Sequence, residues 1–254
     1  MHVLTIFAHP NHKSFCYAVL EQFTKGLTDA GHTNEIVDLY AIDFDPVLRD
    51  WDGPSWMDEN VPQDILDRAH LKQELINSAR GPLQRFLMKR WIGDKDDRGI
   101  IRALRAERRP KDVLEQQDKV ARAQALVFIS PVWFVGFPAI LKGWFERVFT
   151  LGFAFGLSDA GWHGDVAGRV PLLKHEKALV INTTIFNEHT YTQGFGDAMK
   201  RLIDDWSLRY PGIKTVDHEF FYAVNGADDE TRRRYLERAY ALGRSFASSS
   251  RAAA

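Results

Sequence analysis

This sequence contains very little cysteine, and neither sign of charge is in excess. Its 254 residues include one cysteine, Cys16, so an intrachain disulfide and a cysteine-rich metal site are excluded. The 33 Lys and Arg against 34 Asp and Glu leave a formal net charge of −1, without the basic excess typical of nucleic-acid-binding proteins. We therefore expect a globular protein of the reducing cytoplasm that has no nucleic-acid partner.

Long apolar segments are also missing. The first apolar run, residues 3–8, follows no basic segment and so does not predict a signal peptide. Residues 123–141 carry no charge, but Pro131 and Pro138 would remove helical hydrogen bonds that lipid cannot replace. This segment is typical of a buried strand followed by a loop, and we expect no membrane insertion.

Familiar catalytic motifs are absent as well. The sequence has no H-E-x-x-H metal motif, no G-x-S-x-G nucleophile motif and neither of the usual glycine-rich phosphate loops. Cys16 lies inside a predicted helix with no evident base beside it. We expect no metal site and no covalent nucleophile.

Strand-like and helix-like segments alternate along the chain. Continuous apolar or β-branched runs predict strands at residues 3–8, 34–39, 125–130, 178–184 and 215–224. Helical spacing of apolar residues predicts helices at 14–30, with Ser14 as N-cap, and at 139–151, 195–210 and 228–246. The alternation favours parallel β-α-β units in an α/β three-layer sandwich. We expect one domain over residues 1–248 and a disordered tail at 249–254.

One long connection interrupts this alternation. About 86 residues separate the second predicted strand from the third, far more than a usual connection. Residues 65–120 are highly charged and favour helix. The sequence predicts a charged helical insertion at about 47–120, which is either a solvated excursion or a lid or dimer contact.

The segments that follow the strands are the informative ones, because open parallel sheets bind ligands at the carboxyl ends of their strands. After the first strand, His9, Lys13 and Ser14 precede a helix whose N-terminus presents unpaired N–H groups. This loop is suited to an anion such as a phosphate. The alternative is that Ser14 only caps the helix and Lys13 is solvated.

The third and fourth long strands are followed by two further candidate loops. Residues 131–138 carry three aromatic side chains between two prolines, which suits a flat apolar ligand or, alternatively, core packing or a subunit contact. In the later loop, Thr183 and Thr184 can hydrogen-bond a ligand edge, and His189 and Tyr191 can donate or move a proton. Alternatively, His189 and Tyr191 are ordinary surface residues.

Taken together and in order, these segments resemble the NAD(P)H:quinone oxidoreductase (DT-diaphorase-like) family of flavodoxin-fold flavoproteins. The resemblance covers about residues 1–46 and 121–224. It rests on Ala8-His9, Ser14-Phe15-Cys16-Tyr17-Ala18, Asp38-Leu39-Tyr40-Ala41, Phe44-Asp45-Pro46, Thr183-Thr184 with Tyr191, and above all Pro138-Ala139-Ile140-Leu141-Lys142-Gly143-Trp144-Phe145-Glu146-Arg147-Val148-Phe149.

This resemblance implies a flavodoxin-like fold, a parallel five-stranded sheet of order 2-1-3-4-5, and a homodimer that binds flavin between its subunits. FAD is implied, with FMN as the alternative. The cofactor-binding residues it implies are His9, Lys13, Ser14, Phe15, Cys16, Pro131, Val132, Trp133, Phe134, Val135, Thr183, Thr184, Ile185 and Phe186. Trp133, Phe134 and Phe155 would contact the substrate, Phe155 by reaching the partner's pocket.

The activity implied is ping-pong hydride transfer from NAD(P)H through flavin N5 to a quinone or similar flat acceptor, with Tyr191 and His189 as catalytic residues. Two alternatives are an azo- or nitro-compound reductase and a flavin-bearing regulatory subunit of a membrane transport protein. The chain departs from the family pattern where Ile185-Phe186 replaces two glycines and where Asp197 replaces a histidine six residues after Tyr191.

Overall fold

A computed structural model describes residues 1–49, 52, 59–107 and 110–247. Its centre is a parallel five-stranded sheet of β1 (His2–Phe7), β2 (Thr33–Asp38), β3 (Ala125–Pro131), β6 (Lys177–Thr183) and β7 (Thr215–Phe221), in the order β2-β1-β3-β6-β7. Counted along these five strands alone, the order is 2-1-3-4-5, so the predicted topology is confirmed. Every residue of β3 and β6 is buried, as expected for strands covered on both faces.

Helices cover both faces of the sheet and produce three layers. On one face lie α1 (Phe15–Asp29) and α11 (Asp229–Arg244), packed over a core that includes Phe7, Phe23 and Val127. On the other face lie α6 (Lys111–Arg122), α7 (Ala139–Val148) and a longer helical segment, over a core that includes Phe128 and Trp144. The predicted α/β sandwich is therefore confirmed.

The longer helical segment differs from its prediction. It begins at α9 (Glu188–Thr190), continues as a π-helical stretch, Tyr191–Phe195, then α10 (Gly196–Lys200), and ends in a second π-helical stretch, Arg201–Arg209. Gln193 and Gly194 have non-helical backbone angles, with a φ of +101° at Gly194, so a kink divides this segment. The helix predicted over 195–210 begins just after the kink and is confirmed, whereas the helical turns over residues 188–192 were not predicted. His189 and Tyr191 consequently lie on helical turns and not in the expected loop.

Two glycines allow α1 and α11 to touch backbone to backbone. A Cβ atom at Gly26 would lie 2.2 Å from the carbonyl oxygen of Tyr240, and one at Gly243 would lie 2.2 Å from that of Phe23. Any larger residue at either position would force the helices apart.

Two of the motifs that carry the family resemblance, residues 44–46 and 138–149, contact each other in the fold. A Cβ atom at Gly143 in α7 would lie 2.1 Å from the carbonyl oxygen of Pro46, so the Pro46 segment requires this glycine. One turn later, the buried Arg147 donates hydrogen bonds to the Asp45 carbonyl at 2.7 Å and to Asp52 at 3.1 Å. The two motifs together fasten α7 to the chain that leaves β2.

The insertion is helical, as predicted. It contains α2 (Gln63–Ala69), α3 (Leu71–Ser78), α4 (Pro82–Ile92) and α5 (Asp97–Glu107), and then joins α6. Two small clusters hold it together, one centred on Leu66 and Ile101 and the other on Ile92, Ile100 and Leu104. No helix of the described ranges has the length and apolarity that crossing a membrane requires.

Two short elements have no counterpart in the sequence prediction. The strands β4 (Phe155–Leu157) and β5 (Arg169–Pro171) pair antiparallel and flank α8 (Asp159–Trp162) and a 3₁₀ turn, Val166–Gly168. Strands of three residues leave no usable alternation in the sequence. The tail predicted to be disordered, 249–254, lies outside the described residues.

Candidate active site

The loops that follow β1, β3 and β6 meet at the carboxyl edge of the sheet. The Ala8 amide donates to the Ile129 carbonyl at 3.1 Å, and the Val132 amide donates to the Thr183 carbonyl at 2.9 Å. The rings of His9 and Trp133 lie 5.6 Å apart. The three segments singled out in the sequence therefore form one surface.

The loop before α1 is a preformed turn with unused donors. The Asn11 side chain accepts from the Lys13 amide at 2.8 Å, and the Ser14 hydroxyl oxygen caps α1 by accepting from the Tyr17 amide at 3.1 Å. Within the described chain, the amides of His12, Phe15 and Cys16 have no hydrogen-bond acceptor. The first turn of α1 also contains no acidic residue. Such a turn presents free N–H groups and the positive end of a helix dipole to an anion.

The two histidines of this loop differ in their surroundings. His12 makes a 2.6 Å contact with Asp38 and stacks on the Tyr17 ring, so the end of β2 holds it in place. Burial lowers the pKa of His9; a backbone hydrogen bond with Asn11 opposes this shift, and the neighbouring His12 adds to it. We had not predicted that Asp38, which matched the family pattern, would position this loop.

Cys16 is buried and chemically quiet. Burial raises the pKa of its thiol to about 12, only partly offset by a hydrogen bond with Thr183. The thiol links the start of α1 to the end of β6. Its side chain therefore holds two loops together, and its backbone amide is one of the unused donors at the start of α1.

The aromatic loop after β3 is a tight turn that projects into solvent. Trp133 and Gly136 exchange backbone hydrogen bonds of 3.0 and 3.2 Å, and the two residues between them, Phe134 and Val135, both have positive φ. This pairing is typical of a type I′ turn, which strongly prefers Asn and Gly. The Phe134 side chain is fully exposed, and Val135 is 67% exposed.

A β-branched residue with a φ of +64° is strained, because its branched side chain crowds the backbone. Strain of this kind is concentrated at functional sites, where the surrounding structure holds it in place. Trp133, Phe134 and Val135 thus form a stiff apolar platform beside His9. Pro131, which precedes the turn, is buried at the end of β3, and Val132 is half-buried.

The loop after β6 is fixed by its own hydrogen bonds. The Thr184 hydroxyl donates to the Phe186 carbonyl at 2.7 Å, and the Thr184 amide donates to the Phe221 carbonyl. In contrast, the amides of Ile185 and Phe186 have no acceptor among the described residues. Ile185 and Phe186 are themselves 60% and 59% exposed.

Tyr191 lies behind this loop, with 3% of its surface exposed. Its ring packs against Phe195, Phe220 and Tyr222. Its hydroxyl is buried without a hydrogen-bond partner in the described structure, and burial raises its pKa, with Thr184 acting in the opposite direction. A buried hydroxyl without a partner is costly, which favours a ligand as its missing acceptor.

Two of the predicted site residues, His189 and Phe155, make no described side-chain contact with the three site loops. His189 is exposed on α9, where its backbone carbonyl accepts from the Thr192 hydroxyl. Phe155 lies in β4, its ring 5.5 Å from that of Tyr210. Since the role predicted for Phe155 involves a partner subunit, that role stays a prediction.

A buried polar chain behind the site was not predicted. His218 is fully buried, with one ring nitrogen 2.8 Å from Asp204 and the other 2.9 Å from the side-chain oxygen of Asn182. The Asn182 amide group donates to the Ser130 carbonyl at 3.0 Å, which fixes the direction of the Asn182 side chain. Both ring nitrogens are thus within hydrogen-bond distance of side-chain oxygens, which fixes the position of the ring. This series of hydrogen bonds ends at Ser130 and Asn182, each of which directly precedes a site residue, Pro131 and Thr183 respectively.

Comparisons with known proteins agree with this fold. A family model described as "Flavodoxin-like fold" matches residues 1–242. In structure, the chain is similar to the NAD(P)H:quinone oxidoreductase from Methanothermobacter marburgensis, with 30% identity, a TM-score of 0.65, and coverage of 97% of this chain and 96% of that one.

Two sequence relatives extend the comparison. NAD(P)H dehydrogenase [quinone] 1 of Cavia porcellus is 28% identical over 237 residues, 92% of this chain and 72% of the relative. An uncharacterized NAD(P)H oxidoreductase of Haemophilus influenzae is 27% identical over 239 residues, 93% of this chain and 91% of the relative. The chain therefore belongs to the flavodoxin-like fold family, in the branch whose relatives include the NAD(P)H:quinone oxidoreductases.

Proposed function

We propose that this protein is a flavin-dependent NAD(P)H:quinone oxidoreductase that reduces a quinone or a similar flat acceptor. One observation carries the proposal: an anion-binding helix start, an exposed aromatic platform and a pair of unused amides meet at one edge of the sheet. These features suit the phosphate tail, the planar ring and the polar ring edge of a flavin, respectively.

The residues at this edge of the sheet fit a flavin. The unused amides of His12, Phe15 and Cys16, with the Lys13 side chain, would hold the flavin phosphate at the start of α1. His9, Ser14 and Phe15 would line the sugar-like chain. Pro131 to Val135 would line the ring, and Thr183 to Phe186 would meet its pyrimidine edge.

Bound flavin would supply the two-electron chemistry that no side chain of this protein offers, by accepting a hydride from NAD(P)H and passing it to the acceptor. The protein would position the rings and balance the charge that develops at the pyrimidine edge. The Ile185 and Phe186 amides and the Tyr191 hydroxyl, which have no acceptor among the described residues, would be the donors to that charge. His189 is the residue we propose for proton movement beside Tyr191.

Each subunit would complete its site with a second copy of the chain. Trp133, Phe134, Val135, Ile185 and Phe186 leave a large apolar area open to solvent, which favours a homodimer with flavin at the interface. In that dimer, Phe155 would reach the partner's acceptor pocket. Residues 1–248 would form one flavin-binding domain with the insertion at about 47–120, working in the cytoplasm.

The decisive experiment identifies the cofactor and its reduction. The purified protein is heated to release its flavin, which separates FAD, the form we propose, from FMN. Anaerobic titration with NADPH and NADH should bleach the flavin absorbance, and a quinone should restore it faster than an azo dye does. A colourless protein that takes up neither flavin would refute the proposal.

The role of Tyr191 is tested by Tyr191→Phe. Loss of one donor to developing charge typically slows such a step by about a hundredfold. Tyr235→Phe is the matched control, because the Tyr235 hydroxyl donates to the Tyr222 carbonyl while its ring packs on the other face of the sheet, with α1 and α11. Equal rates of flavin reduction in the two variants would leave Tyr191 with a packing role only.

A further inference from the structure

The outer face of α4 carries an apolar ridge that no described part of the chain covers. Leu83, Phe86 and Leu87 are 69%, 61% and 53% exposed, and their i, i+3, i+4 spacing places them side by side. The opposite face, with Met88, Trp91 and Ile92, packs in the cluster that fastens α4 to the insertion. The ridge is therefore displayed on a helix that is already anchored from behind.

Basic residues lie beside this ridge, and the stretch of chain that carries them contains no acidic residue; the described carboxylate contact of α4 is on its anchored side, where Trp91 donates to Glu107 at 2.8 Å. Arg80, Arg85, Lys89 and Arg90 all lie between Glu74 and Asp94, a stretch that contains no Asp or Glu. Arg90 continues the ridge one turn after Leu87, while Arg85 and Lys89 lie along one side of it. None of the four cations has an ion-pair partner among the described residues.

On three other helices, a basic residue forms an ion pair with an acidic residue three or four positions away. Arg68 on α2 pairs with Asp64, Lys142 on α7 pairs with Glu146, and Arg233 on α11 pairs with Glu230 and Glu237. Unlike Arg68, Lys142 and Arg233, the cations Arg85, Lys89 and Arg90 of α4 have no carboxylate three or four positions away on their helix.

We propose that α4 binds the surface of an anionic lipid bilayer and lies in the plane of the interface. An exposed Leu-Phe-Leu ridge partitions into the boundary between headgroups and acyl chains. The surrounding Arg and Lys side chains meet the anionic headgroups, and Arg90 extends along the ridge so that its charge remains among them. Because α4 has only 11 residues, it lies on the bilayer and does not cross it.

The charge pattern argues against the two other occupants of such a surface. A twofold contact through the ridge of α4 would bring the unpaired cations Arg85, Lys89 and Arg90 of two copies close together, which is repulsive. A nucleic acid would use the cations but would gain little from burying Leu83 and Leu87.

The inference goes beyond the proposed oxidoreductase activity and does not depend on it, because lipid binding is measured without turnover. Protein is sedimented with vesicles of phosphatidylcholine containing roughly one third phosphatidylglycerol, and with vesicles of phosphatidylcholine alone. We expect binding to the anionic vesicles, weakened by added salt, and little binding to the neutral ones.

Two pairs of variants locate the binding surface. Leu83→Ser with Phe86→Ser should lower vesicle binding at least tenfold, whereas Val166→Ser, at another exposed apolar residue, should not. Arg85→Gln with Lys89→Gln should lower vesicle binding about 25-fold, at about fivefold for each cation, and more than the control pair Lys174→Gln with Arg234→Gln. All variants should keep the wild-type rate with a water-soluble quinone.

Three results would overturn the inference. The first is no binding of the wild-type protein to anionic vesicles at low salt. The second is equal binding by the α4 variants and their controls. The third is a change of sedimentation-equilibrium mass in the Leu83→Ser, Phe86→Ser variant, since that would assign the ridge to a second copy of the chain.

Discussion

Replacing Val135 by glycine should stabilise the protein, although such a substitution usually destabilises. At Val135, φ is +64°, and a left-handed conformation costs a residue with a Cβ atom about 1–2 kcal/mol. Glycine removes that cost but loses about 0.5–1 kcal/mol through the entropy of the unfolded chain. Since the Val135 side chain is 67% exposed, little packing is lost. The net expectation is a gain of about 0.5–1 kcal/mol in the free energy of unfolding.

The matched control is Val166→Gly. Val166 is similarly exposed, at 57%, but it is not among the residues with positive φ. Glycine there should therefore cost about 0.5–1 kcal/mol, so that the two variants differ by about 1–2 kcal/mol in opposite directions.

Urea unfolding followed by tryptophan fluorescence or circular dichroism measures the difference, provided that the m-values of both variants match that of the wild type. If Val135→Gly loses as much stability as Val166→Gly, the turn is not strained and the argument fails. If the strain is retained for ligand contact, the stabilised Val135→Gly protein should also bind flavin more weakly.

Three further predictions concern buried groups. Arg147→Met removes the buried guanidinium that pairs with Asp52 and should lower the free energy of unfolding in urea by about 3–5 kcal/mol. Arg233→Met, in an exposed network, should cost less than about 1 kcal/mol, and similar losses in the two variants would contradict the assigned role of Arg147. Because burial raises the pKa of Cys16 to about 12, its thiol should react with a disulfide reagent at pH 8 only after denaturant is added, and prompt labelling of the native protein would disagree. Burial lowers the pKa of His175, so below about pH 6.5 the unfolded chain binds a proton at this residue that the folded chain does not. The stability that His175 contributes is therefore present above about pH 6.5 and is lost as the pH falls. His175→Gln should flatten the fall in the free energy of unfolding between about pH 7 and 5, and an unchanged slope would show that His175 does not cause this fall.

The architecture could be predicted because it depends on signals that are local in sequence. The apolar runs of β1, β3 and β6 are continuous, and Ser14 and Pro138 mark helix starts that the structure confirms. The meeting of the three site loops also follows from the sequence, since parallel strands place their carboxyl ends at one edge.

The side-chain connections behind the site could not be predicted, because their partners are distant in sequence. His218 joins Asp204, 14 positions away, to Asn182, 36 positions away. The turn at Phe134 and Val135 was hidden for another reason: its sequence contradicts the usual preference of a type I′ turn. Local propensity fails there because the surrounding structure imposes the conformation.

The glycine contact between α1 and α11 ties the far end of the chain to the ligand loop. With no side chain between them, the axes of these helices are set by backbone atoms in hard contact at Gly26 and Gly243. A bulkier residue at position 243 would act as a wedge, and α1 would pivot so that its amide-rich tip points away from the edge of the sheet. Mutations more than two hundred residues downstream of His9 can therefore weaken cofactor retention without touching any residue of the site.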